Sequence, residues 1–257
     1  MKDYLGVGIA GNFAEHLSEA GEDKDFVNIH TDDPGAPKGI FPFYVPNHQG
    51  ILGINPICET ELKMPQIDSD AKLQAEPEMA IKCMITYQDG LVDTITPVAF
   101  AAFNDCSIRK PNARKISEKK NWGACSKGLS GAWIDIEAFE ANTPMDEYIL
   151  SSQLKRNGEW LDYGIPSPVK HYGYFYGKLI NWLKHQANTQ EDTGPLENMR
   201  EHLAMANYPA TWIVALGATR YTELGQTAEL HIGDVIRVSL STENASCSTV
   251  FEQIIVE

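Results

Sequence analysis

LQAEPEMAIKCMITYQDGLVDTITPVAFAAFND, residues 73–105, carries the clearest periodic pattern in the chain. From Glu76 onward the residues alternate. Met79, Ile81, Cys83, Ile85 and Tyr87 fall on one side of an extended backbone, and Glu76, Glu78, Ala80 and Lys82 on the other. This predicts a half-buried strand. Asp89-Gly90 supplies the residues of a tight hairpin turn, and a second β-rich run follows, ending in the apolar stretch VAFAAFND (residues 98–105). Two glutamates one residue apart on a strand project to the same face, so their carboxylates can converge on one cation. Spacing alone does not single them out. Glu59 and Glu61 form a competing pair, and the plain reading of either is a solvated strand end.

Toward the N-terminus, LGVGI (residues 5–9) reads as an apolar strand and NFAEHLSEA (residues 12–20) as a helix start, with Asn12 as N-cap and Glu15 completing a capping box. Residues 22–65 are rich in turn formers, which predicts an irregular, short-stranded region. Toward the C-terminus, Ser167-Pro168 predicts a helix start running through YFYGKLINWLKHQ (residues 174–186). A polar loop near 188–195 separates it from a second helix around LENMREHLAM (residues 196–205). A Gly233-Asp234 turn feeds an alternating strand, and VFEQIIV (residues 250–256) reads as a closing one. There is no repeat and no linker-like tract. The expected fold class is α+β, mostly β, with residues 1–257 as one domain and residues 1–65 at most a small N-terminal subregion.

Of the 257 residues 43% are hydrophobic and 22% charged, values that support a sizeable core. A formal charge of -14 repels phosphate backbones and anionic lipid, which argues against nucleic acid and membrane as partners. LGVGIAG is too short and glycine-rich for a signal-peptide core, and no apolar stretch reaches spanning length, so the expected location is cytoplasmic. Cys58, Cys83, Cys106, Cys125 and Cys247 are odd in number and show no CxxC spacing, which predicts reduced thiols and neither disulfides nor a zinc knuckle. Cys106 and Cys125 read as packing residues.

Four segments, in this order, resemble the fumarylacetoacetate hydrolase superfamily. GNFAEHLSEAG (residues 11–21) is similar to the family's Gly-Arg-Asn-Tyr-Ala-x-His-x-x-Glu helix, which implies His16 and Glu19 as the catalytic dyad. LQAEPEMAI resembles the segment with the paired metal-binding glutamates, implying Glu76 and Glu78. FNDCSIRKPN resembles the Asn-Asp-x-Ser-x-Arg segment, implying Asp105 as third metal ligand and Arg109 as a substrate contact. SKGLSGAWI resembles the Gly-Lys-Ser segment, implying Lys127 as the site lysine. LGATRY stands where the family has Gly-Thr-Pro, making Thr219 a second substrate contact. Gly11 and Phe13 replace the family's arginine and tyrosine, removing one anion contact and one hydroxyl.

The resemblance implies a mixed β-sandwich roll with flanking helices, forming a homodimer. It implies Mg²⁺ (or Mn²⁺) and a small dioxo acid bound through two oxygens. The expected reaction is hydrolysis of a carbon–carbon bond in an acylpyruvate-like substrate through a metal-stabilised enolate. The same site would serve a 2-oxo acid decarboxylase, isomerase or hydratase, or a noncatalytic relative that binds metal or a small acid. Physical chemistry agrees with the metal: two carboxylates 4 Å apart repel by about 4 kcal/mol at an effective dielectric of 20, so three converging ones need a cation or shared protons. An all-oxygen donor set favours a hard ion over zinc.

Overall fold

The computed structural model describes residues 3–13, 33, 35–66, 71–110, 113–243 and 247–257. Its strands are β1 (Leu5–Ala10), β2 (Gly39–Tyr44), β3 (Ile57–Cys58), β4 (Glu61–Lys63), β5 (Lys72–Gln74), β6 (Pro77–Gln88), β7 (Leu91–Asn104) and β8 (Ser107–Arg109). There follow β9 (Lys127–Leu129), β10 (Ile134–Asp135), β11 (Ile149–Arg156), β12 (Glu159–Asp162), β13 (Ser167–Pro168), β14 (Thr211–Ala215), β15 (Val235–Ser241) and β16 (Ser248–Val256). One mixed sheet has the order β2-β1-β14-β6-β7-β9-β3, with β10 on β7. A second has the order β12-β11-β15-β16-β4, with β13 on β11, and β5 pairs with β8. The fold is mostly β, as the alternating segments predict.

The predicted hairpin is the spine of the first sheet. β6 and β7 pair antiparallel from Pro77↔Asn104 to Gln88↔Leu91. Asp89 (φ 52°) and Gly90 (φ 76°) close it, both in the left-handed region that a two-residue turn of this hand requires. Met79, Ile81, Cys83 and Ile85 join the main core with Ile236, Val238, Leu240 and Phe251 of the second sheet. On the opposite face Ala80 packs with Ala101, Phe103, Ile213 and Ala215 beneath Tyr4, Phe43 and Tyr44. The strand is therefore half-buried only toward the turn, where Met84 is 45% exposed; its other end is buried on both faces.

The glycines of LGVGI have a steric cause. A Cβ on Gly6 would lie 2.3 Å from the Phe43 ring, and one on Gly8 2.3 Å from the Phe41 ring. Both aromatics cross β1 from the neighbouring β2, and only hydrogen side chains leave room for them.

Asn12 bridges two distant backbone segments with its side chain. Its amide donates to the carbonyls of Tyr174 and Leu216 (3.0 Å each), and its Oδ1 accepts from the Tyr174 N–H at 2.8 Å. The expected helix beyond it lies outside the described residues. The same bridge corrects the next helix. Ser167–Pro168 forms β13 against β11, Val169–His171 is a single 3-10 turn, and the helix spans Tyr176–Thr189. A continuous helix from Ser167-Pro168 is broken at Gly173 and Tyr174, whose N–H groups donate to Asn12 and not to carbonyls four residues back. The helix Tyr176–Thr189 buries Leu179, Leu183 and Ala187. The helix Met199–Met205 is capped by Asn198, whose side chain accepts from the N–H groups of Arg200 and Glu201. Among the described residues no helix is long and apolar enough to cross a membrane.

Candidate metal centre and active site

The open end of the hairpin gathers the acidic residues. Glu76 immediately precedes β6, Glu78 is its second residue, and Asp105 immediately follows β7. The ladder sets their spacing, since Pro77 faces Asn104, Glu78 faces Phe103, and the Asp105 N–H donates to the Glu76 carbonyl at 2.9 Å. One carboxylate oxygen from each of the three lies within 4.8 Å of the others. All are buried, with exposures of 3%, 2% and 0%.

Three cations face them. Lys127, at the start of β9 and fully buried, stands 3.2 Å from Asp105 Oδ1 and donates to the Cys106 carbonyl at 2.5 Å. Arg109 on β8 places Nη2 3.0 Å from Glu76 Oε1, while its Nε donates to Gln74 Oε1 at 2.8 Å. The third, Lys120, is absent from the sequence-based expectations. It ends the short helix Ser117–Lys120, and its ammonium sits 2.7 Å from both Glu76 Oε1 and Asp105 Oδ2. The fold turns Lys120 inward, where it is 3% exposed against the Phe41 ring.

Glu78 has no cation partner within ion-pair distance among the described residues. Its Oε2 accepts the Gly217 N–H at 2.8 Å. Burial first, and then the nearby charge of Asp105, push its carboxyl well above the usual carboxylate range, against the pull of Lys120. Burial pulls the Lys127 amine below its ordinary range, opposed by Asp105. The segment LGATRY thus enters the site through the backbone of Gly217 (φ 104°), a conformation that favours glycine. Thr219 is buried two residues further on.

The donors suit a hard divalent ion. They are all carboxylate oxygens, and neither buried oxygen of Asp105 receives an aligned hydrogen bond. Lys120 supplies one positive charge close to where such an ion would supply two. Behind the site, the Glu76 N–H donates to Asn104 Oδ1 (3.0 Å), and Asn104 Nδ2 donates to Gln253 Oε1 (3.0 Å). Gln253 in turn donates to the carbonyls of Cys58 (3.0 Å) and Glu61 (2.9 Å). Gly128 makes space for this amide, because a Cβ there would lie 2.2 Å from Gln253 Oε1.

His16 and Glu19 lie outside the described residues. The competing pair is elsewhere: Glu59 accepts the Gly131 N–H at 2.8 Å, and Glu61 stands near Cys58 and Cys125.

A curled mixed sheet backed by a second sheet is the fumarylacetoacetate hydrolase-like fold. The chain is similar to Cg1458, solved with an inhibitor, at 16% identity and a TM-score of 0.62, over 100% of this chain and 78% of that one. It is similar to 5-carboxymethyl-2-hydroxymuconate delta-isomerase from Mycobacterium smegmatis at 15% identity and a TM-score of 0.56, over 100% and 80%. A fumarylacetoacetate hydrolase family protein from Yersinia pestis CO92 matches at 14% identity and a TM-score of 0.55, over 98% and 93%. At these identities the likeness is one of fold. By sequence, residues 22–256 match a family of unknown function, DUF5718, and the chain belongs to that family. No curated protein matches it by sequence.

Proposed function

We propose that this chain is a Mg²⁺-dependent hydrolase that cleaves a carbon–carbon bond in an acylpyruvate-like dioxo acid. The observation that carries this reading is the convergence of Glu76, Glu78 and Asp105 within 4.8 Å in a buried, cation-lined site. These three carboxylates would hold Mg²⁺, or Mn²⁺ by the same donor chemistry. When bound, the ion supplies a Lewis acid that neutralises negative charge developing on the substrate's oxygens. Lys127 is assigned to the leaving enolate. Its ammonium is desolvated, and it therefore gains most from an anion forming beside it. Arg109, tied to Glu76 and Gln74, orients the carboxylate and presents a guanidinium to a substrate carboxylate. Thr219 is proposed as a further substrate contact. Water activation is assigned, on the resemblance, to His16 as base with Glu19 orienting it. A homodimer in the cytoplasm is proposed on the same grounds.

The likeness of fold to an isomerase gives the second reading, in which the same residues serve an isomerase, hydratase or decarboxylase without hydrolytic water. The deciding assay presents an acylpyruvate panel and oxaloacetate to the Mg²⁺-loaded protein and identifies the products. Pyruvate together with the matching carboxylic acid supports hydrolysis. Isomerised, hydrated or decarboxylated product without cleavage favours the second reading, and tight metal-dependent ligand binding without turnover would mean a noncatalytic binder. His16→Ala should remove hydrolysis and leave Mg²⁺ affinity nearly intact; equal loss of both would refute its assignment to water.

A further inference from the structure

Cys58, Glu61 and Cys125 form a second group of ligand-type side chains, with one Sγ or carboxylate oxygen from each within 4.8 Å of the others. Two come from one turn in a Cys-x-x-Glu spacing, as Cys58 ends β3 and Glu61 opens β4. Cys125 belongs to the loop leading into β9. The scaffold is held from several sides. β3 runs parallel to β9 with Cys58 facing Gly128, and the Lys63 N–H donates to the Cys125 carbonyl at 2.8 Å. Gln253 ties down the carbonyls of Cys58 and Glu61 at 3.0 and 2.9 Å.

The sulfurs differ in proton affinity. Burial by itself would raise the Cys58 thiol, but donors crowd its sulfur: the Thr60 N–H, the Cys125 thiol, the Glu61 N–H and the Thr60 hydroxyl bring it below the ordinary range. Cys125 is pushed up to about 11, by burial and then by its hydrogen bond to Cys58. The Cys125 thiol thus donates to the Cys58 sulfur, with the Glu61 carboxylate alongside.

We propose that Cys58, Glu61 and Cys125 bind a soft divalent cation of the zinc class, separately from the centre at Glu76, Glu78 and Asp105. Two thiolates and a carboxylate are a zinc-type donor set, with water as fourth ligand, and they are a poor match for Mg²⁺. The cation displaces thiol protons from its ligands, so uptake releases protons. It joins the β3–β4 turn to the loop that carries Lys127 two residues after Cys125. Its role is to hold that loop in place.

The test titrates Cd²⁺ into the reduced full chain with Mg²⁺ in excess and Cys247→Ser removing the exposed thiol. Thiolate ligation of Cd²⁺ is read by its ultraviolet charge-transfer absorption. One Cd²⁺ per chain is expected, with that absorption, displaced by Zn²⁺. Cys58→Ser and Cys125→Ser should each weaken binding by about 100-fold or more, and Glu61→Gln by about tenfold, since loss of even an outer partner costs 10–100-fold. Glu78→Gln should leave Cd²⁺ binding unchanged, and circular dichroism of each variant checks that it folds. Absence of the thiolate band at stoichiometric Cd²⁺ would overturn the proposal. So would a band that survives in the folded Cys58→Ser, Cys125→Ser double variant.

Discussion

Asn104 Nδ2 donates to Gln253 Oε1 at 3.0 Å, and both residues are wholly buried. This bond links the end of β7 to β16 across the two sheets, and Asn104 passes the constraint to the Glu76 backbone. Gln253→Leu keeps the bulk but strips partners from Asn104 and from the carbonyls of Cys58 and Glu61. The buried Asn104 amide, left without this partner, costs about 1–3 kcal/mol, and the variant should lose at least that much in urea unfolding. A midpoint equal to that of the wild type would mean that this amide relay contributes nothing.

Glu78 makes stability depend on pH with an unusual sign. Its folded-state pKa is raised, so from the ordinary carboxyl range upward the folded protein keeps a proton that the unfolded chain has lost. Without metal, this residue's contribution to stability should therefore fall as pH rises through that window, until Glu78 ionises in the fold. Glu78→Gln should flatten this slope and raise the neutral-pH melting temperature of the metal-free protein. Melting curves across pH measure it directly. A slope unchanged by the substitution would remove Glu78 as its source.

The same group ties metal uptake to proton release. Mg²⁺ binding needs the Glu78 carboxylate, so affinity should rise with pH, and calorimetry in buffers of different ionisation enthalpy should detect the released proton. Replacing both Glu76 and Glu78 by Gln should abolish Mg²⁺ binding, while the Glu59→Gln, Glu61→Gln double variant should alter it little. Loss of Mg²⁺ binding in the second variant alone would displace the proposed centre.

Lys120 neutralises Glu76 and Asp105 from within the core. Lys120→Met should cost about 3–5 kcal/mol in metal-free protein, because it removes the cation shared by two buried carboxylates and leaves Arg109 to face Glu76 and Lys127 to face Asp105. Mg²⁺ should recover most of that loss, giving the variant a larger metal-induced rise in melting temperature than the wild type. An equal or smaller rise would show that Lys120 and the metal do not substitute for each other.

Gly8→Val tests the crossing of β1 by Phe41. The new side chain has no room beside a ring that would lie 2.3 Å from its Cβ, and overpacking of this kind costs about 1–3 kcal/mol. Phe41→Ala in the same chain should return part of the loss. A Gly8→Val variant as stable as the wild type would rule out the close approach.

Local patterns were readable where local forces decide. The period-two alternation from Glu76 and the Asp89-Gly90 turn led directly to the hairpin, and the hairpin brings Glu76, Glu78 and Asp105 together. Lys127 and Arg109 came from resemblance, and they too reach the cluster. Lys120 was illegible because a lysine at a helix end is ordinarily solvated, and only the non-local packing against Phe41 explains its burial. Gln253 did leave a signal: VFEQIIV places it on the inward side with Phe251 and Ile255, where a polar residue needs partners. Cys58 and Cys125 meet through the parallel pairing of β3 with β9, which no spacing rule anticipates. The helix at Tyr176 starts later than Ser167-Pro168 suggests because a distant residue, Asn12, takes the intervening backbone donors.

The β6–β7 ladder also separates changes this chain can absorb from changes it cannot. From Glu78 to the turn the strand runs on the order of 30 Å at about 3.4 Å per residue, so changes at Asp89-Gly90 need not reach the carboxylates if the pairing is retained. A one-residue slip in register is another matter. It would exchange the two faces of β6, sending Glu78 toward the main core and Met79 toward Lys127. Drift in length is therefore affordable at the tip of the hairpin and ruinous along its rungs.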